Sequence, residues 1–253
     1  GMSIIELGDL DGVTGFRLDG VQGGSNAGFS VSAAGDVNGD GFGDIIIGAP
    51  GGDFDGVESV GLAYVVYGSG STFSPSFDLS GLDGSNGYRI VGSENRDFAG
   101  VAVASAGDLN GDGLSDLLVG SYGSANLAGI TNVIFGSTET SAPTLHLEDL
   151  DGTNGARIFG IDADDYSGYA LSGLGDVNGD GLDDLIIGAP EADGGGREQS
   201  GESYVAYGFD GSFPESAFLE ELGDNPGDGF IIEGSGPRDH SGRSVRGAGD
   251  ING

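Results

Sequence analysis

The stretch Gly35-Asp36-Val37-Asn38-Gly39-Asp40-Gly41 decides the fold, because nearly the same seven residues return twice further along the chain. The complete copies begin at Gly107 and Gly175, and a fourth begins at Gly249 and reaches the last residue after five positions. The first aspartates of successive copies lie 72, 68 and 74 residues apart. Self-similarity at a nearly fixed period indicates a repeat architecture, in which one supersecondary unit is used several times.

Each unit consists of short apolar runs separated by glycine-rich turns, which is typical of β-strands. The aspartate-rich segment is followed by a compact run such as residues 45–47, too short for a helix and closed by a glycine. Runs such as residues 62–67 and 88–91 come later in the unit, and one that starts at Gly28 precedes the segment. Four short strands in each unit, repeated radially, are the pattern of a β-propeller blade.

The sequence therefore predicts an all-β fold, a β-propeller whose blades have four antiparallel strands, with three complete blades and a partial fourth. The repeat runs from end to end, so residues 1–253 form a single propeller or a propeller fragment. The predicted blades span approximately residues 24–93, 94–162 and 163–235, and the partial blade combines residues 10–22 with residues 236–253. We expect the chain to be a fragment of a longer protein and not a compact four-bladed ring. The open strand edges of such a fragment could pair with those of another copy, so self-association is possible.

Composition excludes several classes of protein. The chain has 41 acidic and 8 basic residues, a formal net charge of −33 at pH 7, which opposes binding to nucleic acid or anionic lipid. It contains no cysteine, so disulfides, thiolate zinc sites and thiol catalysis are excluded. No apolar run approaches the length of a membrane-spanning helix. The 55 glycines would indicate low complexity in an aperiodic chain, but here they follow the repeat.

The chemistry lies in a nine-residue pattern, Asp-x-Asn-x-Asp-Gly-x-x-Asp, that begins in each complete copy. Side-chain oxygens at positions 1, 3, 5 and 9, with the backbone carbonyl of position 7, are the hard ligands that wrap a cation of calcium size, whereas magnesium requires tighter geometry. Three carboxylates within nine residues also repel one another unless a cation lies between them. The alternative is an ordinary solvated Asp-Asn-Gly turn. The predicted ligands of about three Ca²⁺ sites are Asp36, Asn38, Asp40, Phe42 and Asp44, then Asp108, Asn110, Asp112, Leu114 and Asp116, and finally Asp176, Asn178, Asp180, Leu182 and Asp184.

These loops differ from an EF-hand, which ends in a bidentate glutamate at position 12 and is flanked by helices. Position 12 is occupied here by Ile47, Val119 or Ile187, and the flanking segments are predicted strands. The fourth copy supplies only Asp250 and Asn252, so we expect an incomplete metal site there.

The unit resembles the FG-GAP repeat of integrin α-subunit β-propellers and their bacterial relatives. The two name-giving elements bracket the predicted calcium loop, as Gly28-Phe29 and Gly48-Ala49-Pro50 in the first copy and as Gly168-Tyr169 and Gly188-Ala189-Pro190 in the third. The other copies depart from the pattern, with Gly100-Val101 and Gly120-Ser121-Tyr122 in the second and Gly242-Arg243 in the fourth. The resemblance implies a propeller with calcium loops on its lower face, between the first and second strands of each blade, and ligand binding on the opposite face.

Candidate partner-binding residues lie in the loops that this arrangement places on the opposite face. Variable loops on a rigid scaffold commonly bind partners, although any single residue in them is as well explained as a solvated loop residue. A second recurring position precedes each first strand, occupied by Ser25, Asp97, Asp165 and Asp239, and we expect a structural hydrogen bond there. The candidate partner-binding residues are Asp53, Phe54, Asp55, Glu58, Tyr122, Glu191, Asp193 and Arg197.

Sequence motifs for catalysis are missing, so we expect a protein that is not an enzyme and has no catalytic residue. His146 and His240 are the only histidines and stand at unequal places in their repeats, and the chain has no nucleophile elbow, zinc-protease or phosphate-loop motif. We expect a calcium-binding extracellular or cell-surface propeller that acts as a protein- or glycan-binding adhesion module, without nucleic-acid binding or membrane insertion. The alternative is a non-catalytic targeting or regulatory propeller of a larger secreted enzyme such as a hydrolase. No signal peptide is visible in the sequence.

Overall fold

The computed structural model describes residues 7–209, 214–223 and 228–249, and within these ranges the predicted all-β, propeller-like fold is confirmed. The only helical elements there are short 3-10 turns at Leu7–Asp9, Leu79–Gly81, Leu147–Asp149, Gly194–Gly196 and Leu219–Gly223. None of the helices in the described ranges has the length and apolar character needed to cross a membrane. The predicted fourth metal segment, with Asp250 and Asn252, lies outside the described residues.

Every repeat contributes the same series of strands. A single strand, β1 (Arg17–Asp19), precedes the first complete repeat. The first repeat contains β2 (Ser30–Gly35), β3 (Asp44–Ala49), β4 (Leu62–Val66), β5 (Ser76–Asp78) and β6 (Gly87–Val91). The second contains β7 (Val103–Gly107), β8 (Asp116–Ser121), β9 (Ile130–Ile134), β10 (Thr144–His146) and β11 (Gly155–Phe159). The third contains β12 (Ala170–Gly175), β13 (Asp184–Ala189), β14 (Glu202–Ala206), β15 (Ser216–Phe218) and β16 (Gly229–Glu233).

Four strands of each repeat form an antiparallel sheet in which the first strand lies at the inner edge. The orders are β2-β3-β4-β6, β7-β8-β9-β11 and β12-β13-β14-β16. The three-residue strand of the following repeat then adds in parallel to the outer edge, so that β10 pairs with β6, β15 with β11, and β5 with β1. This fifth strand was not predicted, and it links each repeat to the one before it.

Glycine is required where successive repeats approach each other most closely. A Cβ on Gly48 would collide with the carbonyl oxygen of Gly100, and Gly120 and Gly188 stand in the same relation to Gly168 and Gly242. Because backbone meets backbone at these points, no side chain could move aside to make room. The glycine of each Gly-Ala-Pro element, and Gly120 at the same place in the second repeat, are therefore required for packing between repeats.

The core is divided into layers between successive sheets. One layer joins the first and second repeats and includes Ile46, Tyr88 and Ile90 on one side with Leu117 and Val119 on the other. A second layer joins the second and third repeats. A third layer packs against the face of the first sheet that points away from the second repeat. A blade therefore gains most of its apolar burial from its neighbours, as expected for a quasi-one-dimensional repeat protein.

The third sheet exposes the face that is buried in the other two. Phe230 and Ile232 are 44% and 45% exposed, whereas the equivalent Tyr88 and Ile90 are 7% and 0% exposed. Residues 244–246, which the repeat aligns with a first strand, form no strand, although the Gly247 N–H donates to Ser172 Oγ at 3.1 Å.

Candidate calcium loops

The three predicted loops connect the first and second strands of the three sheets. Loop 1 (residues 36–44) joins β2 to β3, loop 2 (108–116) joins β7 to β8, and loop 3 (176–184) joins β12 to β13. A register shift in the strand pair precedes each loop, and the glycine after position 5 has a positive φ, +87° at Gly41. Such a conformation is strained for residues other than glycine, which explains why a glycine follows position 5 in all three loops.

The side chain at position 1 organises each turn by accepting backbone N–H groups. In loop 1, Asp36 Oδ1 accepts from the Gly39 and Asp40 N–H groups at 2.8 and 3.1 Å, and its Oδ2 accepts from Gly41 at 2.9 Å. Asn38 Oδ1 accepts from the Asp40 N–H at 3.0 Å, and Asp40 Oδ1 accepts from Phe42 at 2.8 Å. Loops 2 and 3 repeat this arrangement around Asp108 and Asp176, except that the Gly111 N–H has no acceptor within the described residues.

The aspartate at position 9 is buried and joins the loop to the sheet. Asp116 accepts from the Leu109 N–H in its own loop and from the Gly136 N–H after β9, both at 2.9 Å. Asp44 and Asp184 make the equivalent bonds in the other repeats. Burial, with Asp112 and Asp108 nearby, raises the pKa of Asp116 to about 7, and burial likewise raises the pKa values of Asp44 and Asp184.

The donor set of the loops suits a hard cation. Each loop gathers carboxylate, amide and backbone carbonyl oxygens, and none of the loop aspartates pairs with arginine or histidine in the described parts of the chain. In the same parts, no three acidic or histidine side chains already converge as a metal centre, since many carboxylate oxygens face N–H groups. A bound Ca²⁺ would therefore be held by the oxygens at positions 1, 3, 5, 7 and 9, and it would supply the positive charge that these carboxylates otherwise lack.

Loops 1 and 2 are braced by the repeat that follows them. The Ser115 and Ser137 N–H groups donate to the Asp36 and Val37 carbonyls, at 3.0 and 2.9 Å. In loop 2, the Asp183 and Phe209 N–H groups donate to the Asp108 and Leu109 carbonyls, at 3.1 and 2.8 Å.

Loop 3 has no equivalent brace among the described residues. The residue at its position 2, Val177, is 53% exposed, whereas Leu109 and Val37 at the same position are 0% and 3% exposed. A Cβ added to Gly39 or Gly111 would contact a leucine of the next repeat, whereas one added to Gly179 would meet open space.

The candidate partner-binding residues lie at the opposite ends of the second strands from the calcium loops. Several of them already hold their own loops together. Asp53 and Asp193 accept from the Ser59 and Gln199 N–H groups six residues later, at 2.7 and 2.8 Å. Arg197 forms a 2.7 Å ion pair with Glu233. The remaining candidates are Phe54, whose ring lies against Arg89 and His146, Glu191, which lies 3.4 Å from His240, and Asp55, Glu58 and Tyr122.

The recurring position before each first strand makes the local hydrogen bonds expected of it. Asp97 accepts from the Ser93 and Glu94 N–H groups, both at 2.7 Å, and from Ser124 Oγ. Asp165 is almost as deeply buried, but among the described residues its carboxylate accepts only from the Asp162 N–H, at 3.1 Å. Burial, with Asp162, Glu202 and Asp193 nearby, raises the pKa of Asp165 to about 6. Asp239 accepts from Gly236, and Ser25 Oγ donates to the Gln22 carbonyl.

An aromatic cluster on the same side was not identified from the sequence, apart from Tyr122. Tyr122 stacks on Phe98 with ring centroids 5.2 Å apart and contacts Tyr166 and Tyr169 at 5.4 and 5.8 Å. Phe98 and Tyr166 both have a positive φ directly after the recurring aspartate. Phe98 and Tyr166 occupy the same position in their repeats, and this recurrence was the signal in the sequence that could have revealed the cluster.

Comparison with known proteins agrees with this architecture. The FG-GAP repeat matches residues 27–66, 99–133 and 167–205, and each range includes one of loops 1 to 3. Bovine phosphatidylinositol-glycan-specific phospholipase D is 36% identical over 188 residues, which are 70% of this chain and 21% of the relative. Integrin alpha pat-2 of Caenorhabditis elegans is 34% identical over 187 residues, 66% of this chain and 14% of the relative. Integrin alpha-4 of Xenopus laevis is 30% identical over 177 residues, 69% of this chain and 15% of the relative.

The chain thus spans about a fifth or less of the length of these relatives. Three matched repeats, in phase with the three sheets and with the Asp-rich loops between their first and second strands, show that this chain contains three FG-GAP repeats.

Proposed function

We propose that this chain is a calcium-stabilised binding or adhesion module that works outside the cell and whose ligand is a protein or a glycan. The observation that carries the proposal is the recurrence of one loop geometry in three repeats, each with aspartates at positions 1, 5 and 9 and with no cationic partner for them within the described residues. The similarity to integrin α chains supports an adhesion role.

The role of the ion is structural in this proposal. Calcium modules of the extracellular space commonly have dissociation constants of about 10⁻⁴ to 10⁻³ M. At about tenfold excess over that value, each site would stabilise the folded chain by roughly 1.4 kcal/mol. Three sites would contribute roughly 4 kcal/mol, which is a large part of the stability of an ordinary domain.

The ligand would meet the face opposite the calcium loops. That face carries Tyr122 and the loops that contain Asp53 and Arg197, and internal hydrogen bonds hold several of these loops in place. An ordered loop loses less conformational entropy when it binds a partner. Because the chain is strongly acidic, neutral or cationic ligands are favoured over anionic ones.

A binding experiment tests this proposal directly. The purified chain would be applied to a glycan array and to surfaces coated with extracellular-matrix proteins, in calcium and then in a chelator. The expected result is binding that is lost in Tyr122→Ala and weakened by the chelator, whereas Val177→Ser on the calcium-loop side leaves it unchanged. Failure to bind any glycan or protein surface in calcium would contradict the adhesion role.

A second candidate is a non-catalytic targeting or regulatory propeller within a larger secreted enzyme, and the similarity to phosphatidylinositol-glycan-specific phospholipase D favours it. The complete open reading frame around residues 1–253 separates the two candidates. A neighbouring domain with a catalytic constellation would support the second candidate, and neighbouring domains without one would support the first.

A further inference from the structure

Loops 1 and 2 are each contacted by position 8 of the loop that follows. This position is occupied by Ser115 in loop 2 and by Asp183 in loop 3. The contact is made beside the glycine that precedes position 1. A Cβ on that glycine, Gly35 or Gly107, would collide with the side chain at position 8. The glycine therefore leaves the space that the side chain of the next repeat occupies.

Asp183 holds the residue at position 1 of loop 2 on both sides of its backbone. Its Oδ2 accepts from the Asp108 N–H at 2.9 Å, and its own N–H donates to the Asp108 carbonyl oxygen at 3.1 Å. A hydrogen bond to a carboxylate is stronger than one between neutral groups. The Asp108 side chain in turn accepts from the Asp112 and Gly113 N–H groups, so a fixed Asp108 fixes the turn.

The equivalent contact between loops 1 and 2 has one hydrogen bond instead of two. The Ser115 N–H donates to the Asp36 carbonyl oxygen at 3.0 Å, as the Asp183 N–H does to Asp108. The Ser115 hydroxyl lies beside Gly35, but within the described ranges it accepts no hydrogen bond from the Asp36 N–H. The chain therefore contains a natural comparison between a carboxylate and a hydroxyl at position 8.

Asp183 also belongs to loop 3, where it lies between two predicted ligands of the ion. The Leu182 carbonyl is at position 7 and the Asp184 carboxylate is at position 9. A cation held by both would restrain the backbone on either side of Asp183. The Leu182 side chain adds a contact to loop 2, because a Cβ on Gly111 would lie 3.0 Å from its Cδ2. Residues 182–184 thus serve loop 3 and contact loop 2.

We infer that Asp183 is a positioning residue for the calcium site of loop 2, and that calcium in loop 3 raises the calcium affinity of loop 2 through it. This inference rests on the proposed calcium binding. Without an ion, the carboxylates of loop 3 repel one another, so the backbone around Asp183 is less restrained. Ordering of that backbone by one ion reduces the conformational entropy that loop 2 loses when it binds the next. Coupling between binding sites is reciprocal, so calcium in loop 2 also raises the affinity of loop 3.

A calcium titration followed by site-resolved NMR tests the coupling. The Gly41, Gly113 and Gly181 amides each follow position 5, so they report loops 1, 2 and 3 separately. Emptying loop 3 with Asp180→Ala should weaken calcium binding by loop 2 about fivefold, at the lower end of the range usual for coupled sites. Asp183→Ala should weaken it about tenfold, because a hydrogen bond to a charged acceptor is lost.

Two further comparisons separate positioning from a general loss of structure. Once Asp183→Ala is present, the addition of Asp180→Ala should change the loop 2 affinity by less than about twofold, since the link is already broken. Asp183→Asn keeps an oxygen that accepts from the Asp108 N–H, so it should retain most of the affinity. Emptying loop 2 with Asp112→Ala should weaken loop 1 less than Asp180→Ala weakens loop 2. Ser115→Asp should increase the coupling between loops 1 and 2.

Amide hydrogen exchange in chelator tests the positioning without any metal. Asp183→Ala should accelerate exchange of the Asp112 and Gly113 N–H groups, which donate to Asp108, by about tenfold. The equivalent Asp40 and Gly41 N–H groups of loop 1 serve as the internal control and should exchange at unchanged rates. Unchanged exchange in loop 2 would overturn the role of Asp183.

The outcomes separate this inference from the proposed function. If no glycine amide responds to calcium, the proposed calcium binding and the coupling both fail, and hydrogen exchange still decides whether Asp183 holds loop 2. If loop 2 binds calcium with the same affinity in the parent, Asp180→Ala and Asp183→Ala chains, the coupling is overturned and calcium binding stands. A loss in Asp183→Asn as large as that in Asp183→Ala would also overturn the inference, because charge alone would then explain the effect.

Discussion

Loop 2 and loop 3 have the same ligand pattern and nearly the same internal hydrogen bonds, but among the described residues only loop 2 is covered by the repeat that follows it. Leu109 at position 2 of loop 2 is completely buried, whereas the equivalent Val177 is more than half exposed. The Asp183 and Phe209 N–H groups hold loop 2 from outside, and the described residues supply no such contacts to loop 3. The local sequence therefore determines the turn, and the neighbouring repeat determines how firmly the turn is held.

Removal of calcium should have the largest effect on the free energy of unfolding. Three sites at about tenfold excess over their dissociation constants contribute roughly 4 kcal/mol, which corresponds to a melting temperature lower by about 10 °C in chelator. Differential scanning calorimetry measures this shift. Asp112→Ala in loop 2 and Asp180→Ala in loop 3 compare the two loops directly. Loop 2 is braced and therefore better preorganised for calcium, so Asp112→Ala should lower the stability in calcium more than Asp180→Ala does.

A magnesium arm serves as the control for ion selectivity, because magnesium retains its waters and requires a tighter octahedron. We expect magnesium to restore little of the lost stability. Identical melting curves in calcium and in chelator would contradict the role given to the ion.

Truncation of the residue at position 2 should separate the two loops most clearly. Leu109→Ala removes a completely buried side chain and should cost about 3 kcal/mol. Val177→Ala removes an exposed one and should change the free energy of unfolding by less than about 0.5 kcal/mol. Urea unfolding in chelator gives both values without any contribution from bound metal. Equal costs in the two loops would mean that the following repeat does not brace loop 2.

Loss of the aspartate at position 9 should have a smaller but similarly unequal effect. Asp116→Ala leaves the Leu109 and Gly136 N–H groups without their acceptor in a buried setting, at a cost of about 2–3 kcal/mol. In Asp184→Ala, water can reach the Val177 N–H beside an exposed side chain, and the Gly208 N–H alone loses its acceptor in a partly buried setting, so we expect about 1 kcal/mol. The same urea experiment measures both, and a larger loss in the third repeat would reverse the proposed order.

Replacement of the recurring aspartates Asp97 and Asp165 by asparagine should give the smallest changes in the free energy of unfolding. The change should have opposite signs at the two positions. The folded-state pKa of Asp165 is raised to about 6, so its contribution to stability is fully present below about pH 4 and is lost as pH rises through about 6. Asp165→Asn should therefore stabilise the chain by about 1–2 kcal/mol at pH 7.5 and by much less at pH 4.

Asp97→Asn is the matched control, because Asp97 accepts from two N–H groups and one hydroxyl, and a neutral amide oxygen accepts hydrogen bonds less strongly than a carboxylate. We expect this variant to be destabilised at pH 7.5. Stability measured by urea unfolding from pH 4 to 8 tests both variants, and a stabilisation of Asp165→Asn that is independent of pH would contradict the assignment to this carboxyl.

The strands and loops that could be predicted from sequence are those in which local pattern alone is sufficient. The runs that became β3, β8 and β13 are short, apolar and in phase with the aspartate segments, so their nature and order followed directly. The outer three-residue strands β5, β10 and β15 were missed because so short a segment has no periodicity of its own. They are in phase with one another, and the prolines before them were the available signal.

Features that depend on neighbouring repeats could not be obtained from the local pattern. Phe54 stays a candidate partner-binding residue, and its local sequence did not indicate that its ring lies 4.6 Å from the Arg89 guanidinium and close to His146. Likewise, Leu109 and Val177 occupy the same place in the repeat, and only the position of the next sheet makes one buried and the other exposed.

A calcium titration by isothermal calorimetry, after exhaustive treatment with chelator, tests the central claim most directly. The account predicts three ions bound per chain, with the loop 3 site the weakest, and a stoichiometry of two in both Asp112→Ala and Asp180→Ala. The Asp180→Ala variant should lose the weakest binding component, and the Asp112→Ala variant should retain it. The absence of saturable calcium binding, or three ions still bound in both variants, would contradict the account.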